Sequence, residues 1–150
     1  MEREYLEAKE CLAFIDKSVS FYHVVKNIET MLKEQEFSEL KETEEYVVSK
    51  GGKYYVKRND SSLIAFCVPE GEIKGFHVIA THSDSPTFKI KAECEQKVED
   101  AYVKLNVEPY GGAIYATWLD RALSVAGRIV CREKDTLVSK TVDVDEDLLV

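Results

Sequence analysis

The sequence lacks the features that would direct it into a membrane or out of the cell. No run of apolar residues approaches the roughly 18 that a membrane-spanning helix needs, although 45% of the 150 residues are hydrophobic. The opening, Met1-Glu2-Arg3-Glu4, is acidic and has neither the basic nor the apolar region of a signal peptide. We therefore expect a cytoplasmic protein with no membrane partner.

Basic clusters, paired cysteines and several common catalytic motifs are missing as well. Acidic residues outnumber basic ones by 28 to 20, giving a net charge of -8, and no Lys/Arg block offers the positive surface that nucleic acid requires. Cys11, Cys67, Cys94 and Cys131 stand singly, without the C-x-x-C pair of a structural zinc site. There is no G-x-S-x-G elbow, phosphate-binding loop or G-x-G-x-x-G turn. We expect reduced thiols and no nucleic-acid partner.

The residues that are present follow the pattern of an α/β protein. At 150 residues the chain has the length of one domain, and we expect a core of ordinary size. Apolar residues recur every three or four positions from Tyr5 to Asp16, and again after Ser18 or Ser20 as far as Gln35, which predicts two amphipathic helices. Beyond them the period becomes that of strands. We predict strands at 46–48, 53–58, 63–68, 75–81, 88–91, 101–107, 126–131 and 137–138.

Turn residues separate the first of these strands. Gly51-Gly52 predicts a hairpin turn, and the stretch 59–62, Asn-Asp-Ser-Ser, predicts a second turn. The strand at 75–81 does not alternate polar with apolar residues, which is typical of a strand covered on both faces. We therefore expect it inside a sheet, with His77 packed in the core.

His82 and Asp84 follow this strand directly, and catalytic residues of open α/β sheets gather at the carboxyl ends of strands. In extended backbone, residues two apart point to the same side. Histidine is the most common metal ligand, and a carboxylate that accepts its other N–H fixes the ring's tautomer. Because a histidine is followed two positions later by aspartate about once in twenty by composition, the pair alone is compatible with a metal site or with none.

A second dense stretch, residues 107–121, contains two glycines, three large aromatic residues and an Asp-Arg pair. Gly111 and Gly112 permit positive φ, and the aromatics offer rigid contact area. Asp120 or Arg121 could form an ion pair or orient a charged substrate. A β-turn followed by a core strand explains the same residues equally well.

Together the two stretches resemble the aspartyl aminopeptidase family of cytosolic metallopeptidases. That family has a strand ending in His-x-Asp-Ser-Pro and a later Tyr-Gly-Gly-x-x-x-x-Thr-Trp-x-Asp-Arg-x-Leu block, and both occur here in order, at 82–86 and 110–123. The segments 20–25, 51–55 and 58–66 are also similar, so the likeness spans most of the chain. Two positions depart from it: the family tends to have proline near Ser20, and an acidic residue where Ala122 stands.

The resemblance implies the N-terminal part of a three-layer α/β metallopeptidase domain that runs into a β-rich assembly domain. We place residues 1–86 in the catalytic domain and 87–150 in the assembly domain. The resemblance also implies two zinc ions, with cobalt or manganese as alternatives, His82 as a metal ligand, and Asp84 as its orienting catalytic carboxylate. The activity would be the removal of N-terminal residues, acidic ones among them, from peptides by a homo-oligomer.

Only His82 matches a ligand position of that family, whereas a catalytic zinc takes about three protein ligands. The other ligands and a general-base glutamate are therefore expected beyond Val150, and the chain alone is expected to be inactive. A non-catalytic assembly or binding module with the same fold is the alternative. A complete small β-rich binding protein is a third possibility.

Overall fold

Two helices open the chain, for which a computed structural model describes residues 2–149, with side chains from 3 to 144. Helix α1 is Glu2–Lys17 and helix α2 is Phe21–Glu34, which confirms the two predicted helices. Ser20 is the N-cap residue of α2, but its hydroxyl lies 2.8 Å from His23 Nδ1 and caps no backbone amide. Neither helix is long and apolar enough to cross a membrane, nor is any other helix among residues 2–149.

Three small sheets follow within the described residues. Their strands are β1 (Ser38–Glu39), β2 (Lys53–Arg58) and β3 (Ser62–Cys67) in the first, β4 (Thr87–Val98) and β5 (Tyr102–Tyr110) in the second, and β6 (Leu123–Glu133) and β7 (Thr136–Leu149) in the third. A 3-10 helix, Tyr115–Thr117, lies between β5 and β6. Helices combined with parallel and antiparallel strand pairs confirm the predicted α/β class.

The chain divides into two compact units. The first comprises Met1–Ser83 and Ser124–Glu146, and the second comprises Asp84–Leu123 and Asp147–Val150. The domain boundary that we place after residue 86 stays a prediction.

In the first unit, β2 is the central strand of its sheet. It pairs with β1 in parallel, Ser38 lying opposite Tyr54, and with β3 in antiparallel fashion. Asn59 and Asp60 join β2 to β3 with φ of 53° and 55°, the left-handed backbone that a tight hairpin turn requires. The turn predicted at 59–62 is therefore confirmed. The strands predicted at 53–58 and 63–68 are confirmed too.

Strand β6 contributes to the first unit through Arg128. The guanidinium lies 4.5 Å from the ring centroid of Tyr22, and its Nη1 donates a hydrogen bond of 2.8 Å to the carbonyl of Asn59. The strands predicted at 126–131 and 137–138 are confirmed within the longer β6 and β7.

The expectation of a core of ordinary size is wrong. Among the hydrophobic residues whose side chains are described, only Val25 on α2, 2% exposed, and Tyr55 on β2, 0% exposed, are buried. By contrast Phe76, Val78 and Ile79 are 86%, 80% and 98% exposed. Hydrophobic residues make up 45% of the sequence, but among the described side chains many of the large ones are exposed.

Two predicted strands are absent. Residues 46–48 and 75–81 belong to no helix or strand, and His77, expected in the core, is exposed. Gly51 does turn the chain, with φ of 73°, but β2 pairs with β1 and β3 and not with 46–48. A strand exists only where a neighbour completes its backbone hydrogen bonds. No strand among residues 2–149 does so for either segment.

The second unit is built on the antiparallel hairpin of β4 and β5. Its register runs from Thr87 opposite Tyr110 to Val98 opposite Tyr102, with a shift between Ile90 and Glu95. The strands predicted at 88–91 and 101–107 are confirmed within it. The open end of the hairpin therefore brings the residues after Pro86 next to those before Gly111.

Candidate functional site

His82 lies in the irregular segment between β3 and β4 and is exposed. The backbone beside it is held by hydroxyl groups. Ser83 Oγ donates a hydrogen bond of 3.2 Å to the carbonyl of Ser61, just before β3, and Thr81 Oγ1 donates one of 3.3 Å to the carbonyl of His82. The backbone at this histidine is thus anchored within the first unit, although the residues directly before it, 75–81, form no strand.

Asp84 is half-buried and belongs to the second unit. Tyr110 Oη donates a hydrogen bond of 2.6 Å to Asp84 Oδ2. This length is typical of a hydroxyl that donates to an ionised carboxylate, which is a stronger bond than one between neutral groups. The same bond, together with the negative charge of Asp84, raises the pKa of the Tyr110 phenol.

The hairpin register explains how Tyr110 comes to lie beside Asp84. Tyr110 is the last residue of β5 and pairs with Thr87, the first residue of β4. The next residue, Gly111, has φ of 74° and lies against Pro86, where an added Cβ would stand 3.4 Å from Pro86 Cα. The two stretches that carry the family resemblance therefore meet at the open end of one hairpin.

The rest of the second stretch forms an aromatic cluster on Phe88. The ring of Trp118 meets that of Phe88 edge to face, with centroids 5.3 Å apart and an interplanar angle of 86°, and the Tyr115 centroid is 6.2 Å away. The chain here forms a 3-10 helix and residues 111–121 contain no strand, so the alternative of a β-turn followed by a core strand is wrong for this stretch. Arg121 Nη1 donates to the carbonyl of Thr117 at 3.4 Å.

His82 and Asp84 carry donor groups of the kinds that metal sites use. Imidazole and carboxylate groups are donors that zinc accepts, and a catalytic zinc takes about three of them from the protein. Among the side chains that the structure describes, no three from histidine, cysteine, aspartate and glutamate come together in a way that could hold a metal ion. The type of donor at His82 fits zinc, whereas the number of donors that come together among the described side chains does not.

Sequence reasoning did not identify Tyr110 as a hydrogen-bond partner of Asp84. The aromatic stretch drew attention to the segment, but Tyr110 and Asp84 are 26 positions apart and no spacing rule links them. The available signal was the order of the two strands, because a hairpin brings the start of its first strand to the end of its second.

Comparison with known proteins assigns most of this chain to a family. The family model described as Aminopeptidase I zinc metalloprotease (M18) matches residues 14–150. The chain belongs to the M18 family. The resemblance to aspartyl aminopeptidases is thereby confirmed, since relatives with that name match nearly the whole chain.

Two curated M18 relatives illustrate the match. The "Probable M18 family aminopeptidase 2" of Clostridium acetobutylicum is 49% identical over 143 residues, covering 94% of this chain and 33% of that protein. The "Aspartyl aminopeptidase" of Dictyostelium discoideum is 40% identical over 154 residues, covering 99% of this chain and 31% of that protein. The chain thus spans about a third of the length of these relatives.

Solved structures of M18 proteins share the fold. A chain of the S. cerevisiae mApe1 dodecamer matches with a TM-score of 0.85 and 34% identity, covering 92% of this chain and 33% of that one. An M18 aminopeptidase from Thermotoga maritima matches with a TM-score of 0.78 and 22% identity over 94% of this chain and 30% of that one. This chain therefore shares its α/β fold with both of these structures.

Proposed function

We propose that this chain is part of an M18 aminopeptidase that removes N-terminal residues from peptides. The observation that supports this most directly is the family match over residues 14–150. Acidic N-terminal residues are the first substrates to test, because the Dictyostelium relative is named an aspartyl aminopeptidase. Because the chain spans about a third of its relatives, the activity is proposed for a protein of their length, hereafter the family-length protein.

In this proposal His82 is a metal ligand and Asp84 is its orienting carboxylate. A carboxylate that accepts one imidazole N–H leaves the other ring nitrogen free to bind a metal, and it also raises the basicity of the ring. The family description names zinc, and we extend this to two divalent ions. Cobalt and manganese are alternatives, since nitrogen and oxygen donors accept both.

We further propose that the family-length protein is a cytoplasmic homo-oligomer whose other partners are its peptide substrates. The S. cerevisiae relative mApe1 is a dodecamer, which supports assembly from identical chains. The net charge of -8 argues against nucleic acid as a partner.

The test is the release of single N-terminal residues from a fluorogenic aminoacyl series, with aspartyl, glutamyl, alanyl and leucyl groups, by the family-length protein. We expect His82→Ala to lower kcat/KM at least about 100-fold and Asp84→Asn to lower it about 10- to 100-fold. The matched control is His23→Gln, a histidine on α2 whose ring contacts Ser20. Equal activity of His82→Ala and the wild type would contradict the assignment of His82.

A non-catalytic module with the same fold remains the competing proposal. It is favoured by one observation, the lack of a three-donor cluster among the described side chains. If the family-length protein released no amino acid with zinc, cobalt or manganese, while remaining folded and assembled, this alternative would replace the enzymatic proposal.

A further inference from the structure

We infer that Tyr110 is a positioning residue, whose hydroxyl holds the Asp84 carboxylate in the orientation that catalysis requires. This inference deepens the proposed function and rests on it. It gives a separate role to the first residue of the second family motif.

The contact itself is specific. Tyr110 Oη lies 2.6 Å from Asp84 Oδ2, within the range of charge-assisted O–H···O⁻ bonds. An aspartate in irregular backbone has several staggered χ1 rotamers available to it. A donor fixed at one oxygen selects the rotamer that keeps that oxygen in place. The hydrogen bond from Tyr110 therefore favours one orientation of the Asp84 side chain.

The donor is itself held in place by the backbone on both sides. Tyr110 is paired with Thr87 at the end of the β4–β5 ladder. Gly111, with φ of 74°, follows it and packs against Pro86. The two contacts tie Tyr110 and Gly111 to Thr87 and Pro86, which follow Asp84 closely in the chain. The hairpin thus holds Tyr110 next to the segment that leads into β4, and Asp84 lies three residues before that strand.

The hydrogen bond from Tyr110 is compatible with the proposed role of Asp84 as an orienting carboxylate. An ionised carboxylate has two oxygens and about four acceptor sites. Tyr110 uses one of these sites, on Oδ2. The bond from Tyr110 alone therefore does not prevent Asp84 from accepting the imidazole N–H of a histidine, which is the partner that its proposed role requires.

A hydrogen bond that only stabilises the fold would have the same geometry as one that positions Asp84. The two roles predict different kinetics. Loss of a bond that only stabilises the fold lowers the melting temperature and leaves the kcat of the folded enzyme unchanged. Loss of a positioning bond lowers kcat in the folded enzyme and leaves substrate binding, and hence KM, nearly unchanged. The substitution Tyr110→Phe removes the hydroxyl alone and retains the ring.

The first measurement tests the hydrogen bond without reference to activity. In the 150-residue chain with 13Cζ-labelled tyrosine, we expect Asp84→Asn to shift the Tyr110 resonance. The resonance of Tyr102 should stay in place, since that side chain is 72% exposed and lies at the other end of β5. An unchanged Tyr110 resonance would overturn the inference.

The second measurement compares the family-length wild type with Tyr110→Phe and the control Tyr102→Phe. We expect Tyr110→Phe to lower kcat about tenfold, the lower end of the effect of losing such an outer partner, with KM within twofold. Tyr102→Phe should match the wild type. A kcat of Tyr110→Phe equal to the wild-type value overturns the inference but leaves the proposed function standing. A wild-type protein without aminopeptidase activity overturns both.

Discussion

The Glu29 carboxylate on α2 is held by donors from its own helix and from β2. Lys33 Nζ lies 2.7 Å from Oε1, Tyr55 Oη donates to Oε1 at 3.1 Å, and Lys57 Nζ donates to Oε2 at 2.8 Å. Burial alone would raise the pKa of Glu29, but the hydrogen bonds from Lys33 and Lys57 outweigh it and lower the pKa below 4.5. Burial and the nearby Glu29 raise the pKa of Tyr55 to about 12.

Replacing Glu29 with glutamine should therefore destabilise the chain in a pH-dependent way. We expect a loss of about 1 to 2 kcal/mol in the free energy of unfolding at pH 7, because two lysines lose a charged acceptor. Since the folded pKa of Glu29 is lowered, the stabilisation by the carboxylate is complete above the unfolded pKa and is lost as the pH falls through the folded pKa. Urea unfolding at pH 7 and at stepwise lower pH would measure this.

The exposed Glu34, at the end of the same helix, provides the matched control. Glu34→Gln should change the free energy of unfolding by less than about 0.5 kcal/mol. A difference between wild type and Glu29→Gln that persisted unchanged at acid pH would show that the carboxylate charge is not its source.

Adjacent glycines after β5 give a second test on single residues. Gly111 has φ of 74° and lies against Pro86, whereas nothing lies within 4 Å of the place where a Cβ of Gly112 would be. We expect Gly111→Ala to cost about 1 to 2 kcal/mol of unfolding free energy because a left-handed backbone disfavours a Cβ. Gly112→Ala should be close to neutral in the same urea experiment. Equal costs would contradict this account of the turn.

Elements were predictable from the sequence where their hydrogen bonds are local. The helices needed only the spacing of apolar residues, and the β2–β3 hairpin needed the Asn59-Asp60 turn, whose residues tolerate positive φ. The strand predicted at 75–81 is wrong because apolar composition indicates only burial. Whether a segment forms a strand also depends on a neighbouring strand that completes its backbone hydrogen bonds. For the site, motif order identified His82 and Asp84, but no local pattern linked Tyr110 to Asp84, since only the register of β4 and β5 does so.

The segment 75–81 leads to a prediction about that element. Its apolar residues are exposed here, Ile79 by 98%, although their composition is that of a buried strand. We expect the backbone amides of 75–81 to exchange with deuterium rapidly in the 150-residue chain and at least about 100-fold more slowly in the family-length protein, where ladder hydrogen bonds would protect them. Mass spectrometry after timed exchange would measure both, with β2 as an internal reference. Rapid exchange in both proteins would rule out a strand there.

For the molecule as a whole, two observations lead us to expect that this chain alone is inactive. The described side chains include two buried hydrophobic residues and no cluster of three metal donors. We expect the purified 150-residue chain to release no N-terminal amino acid from the fluorogenic series at any zinc concentration, while the family-length protein does so at equal molar concentration. Zinc-dependent release by the chain alone would contradict this prediction.

The continuity of the stretch Asp84–Leu123 within the second unit also bears on how M18 genes can recombine. Because this single stretch contains Asp84, Tyr110 and Gly111, a crossover between Ser83 and Asp84 would inherit the carboxylate together with its donor and its turn. A crossover within β4 or β5 would combine an aspartate from one parent with a tyrosine from the other. The two strands of the hairpin would then come from different proteins, and their register would be new. Chimaeras of M18 proteins joined at 83/84 should therefore preserve this pair more often than chimaeras joined between residues 87 and 110.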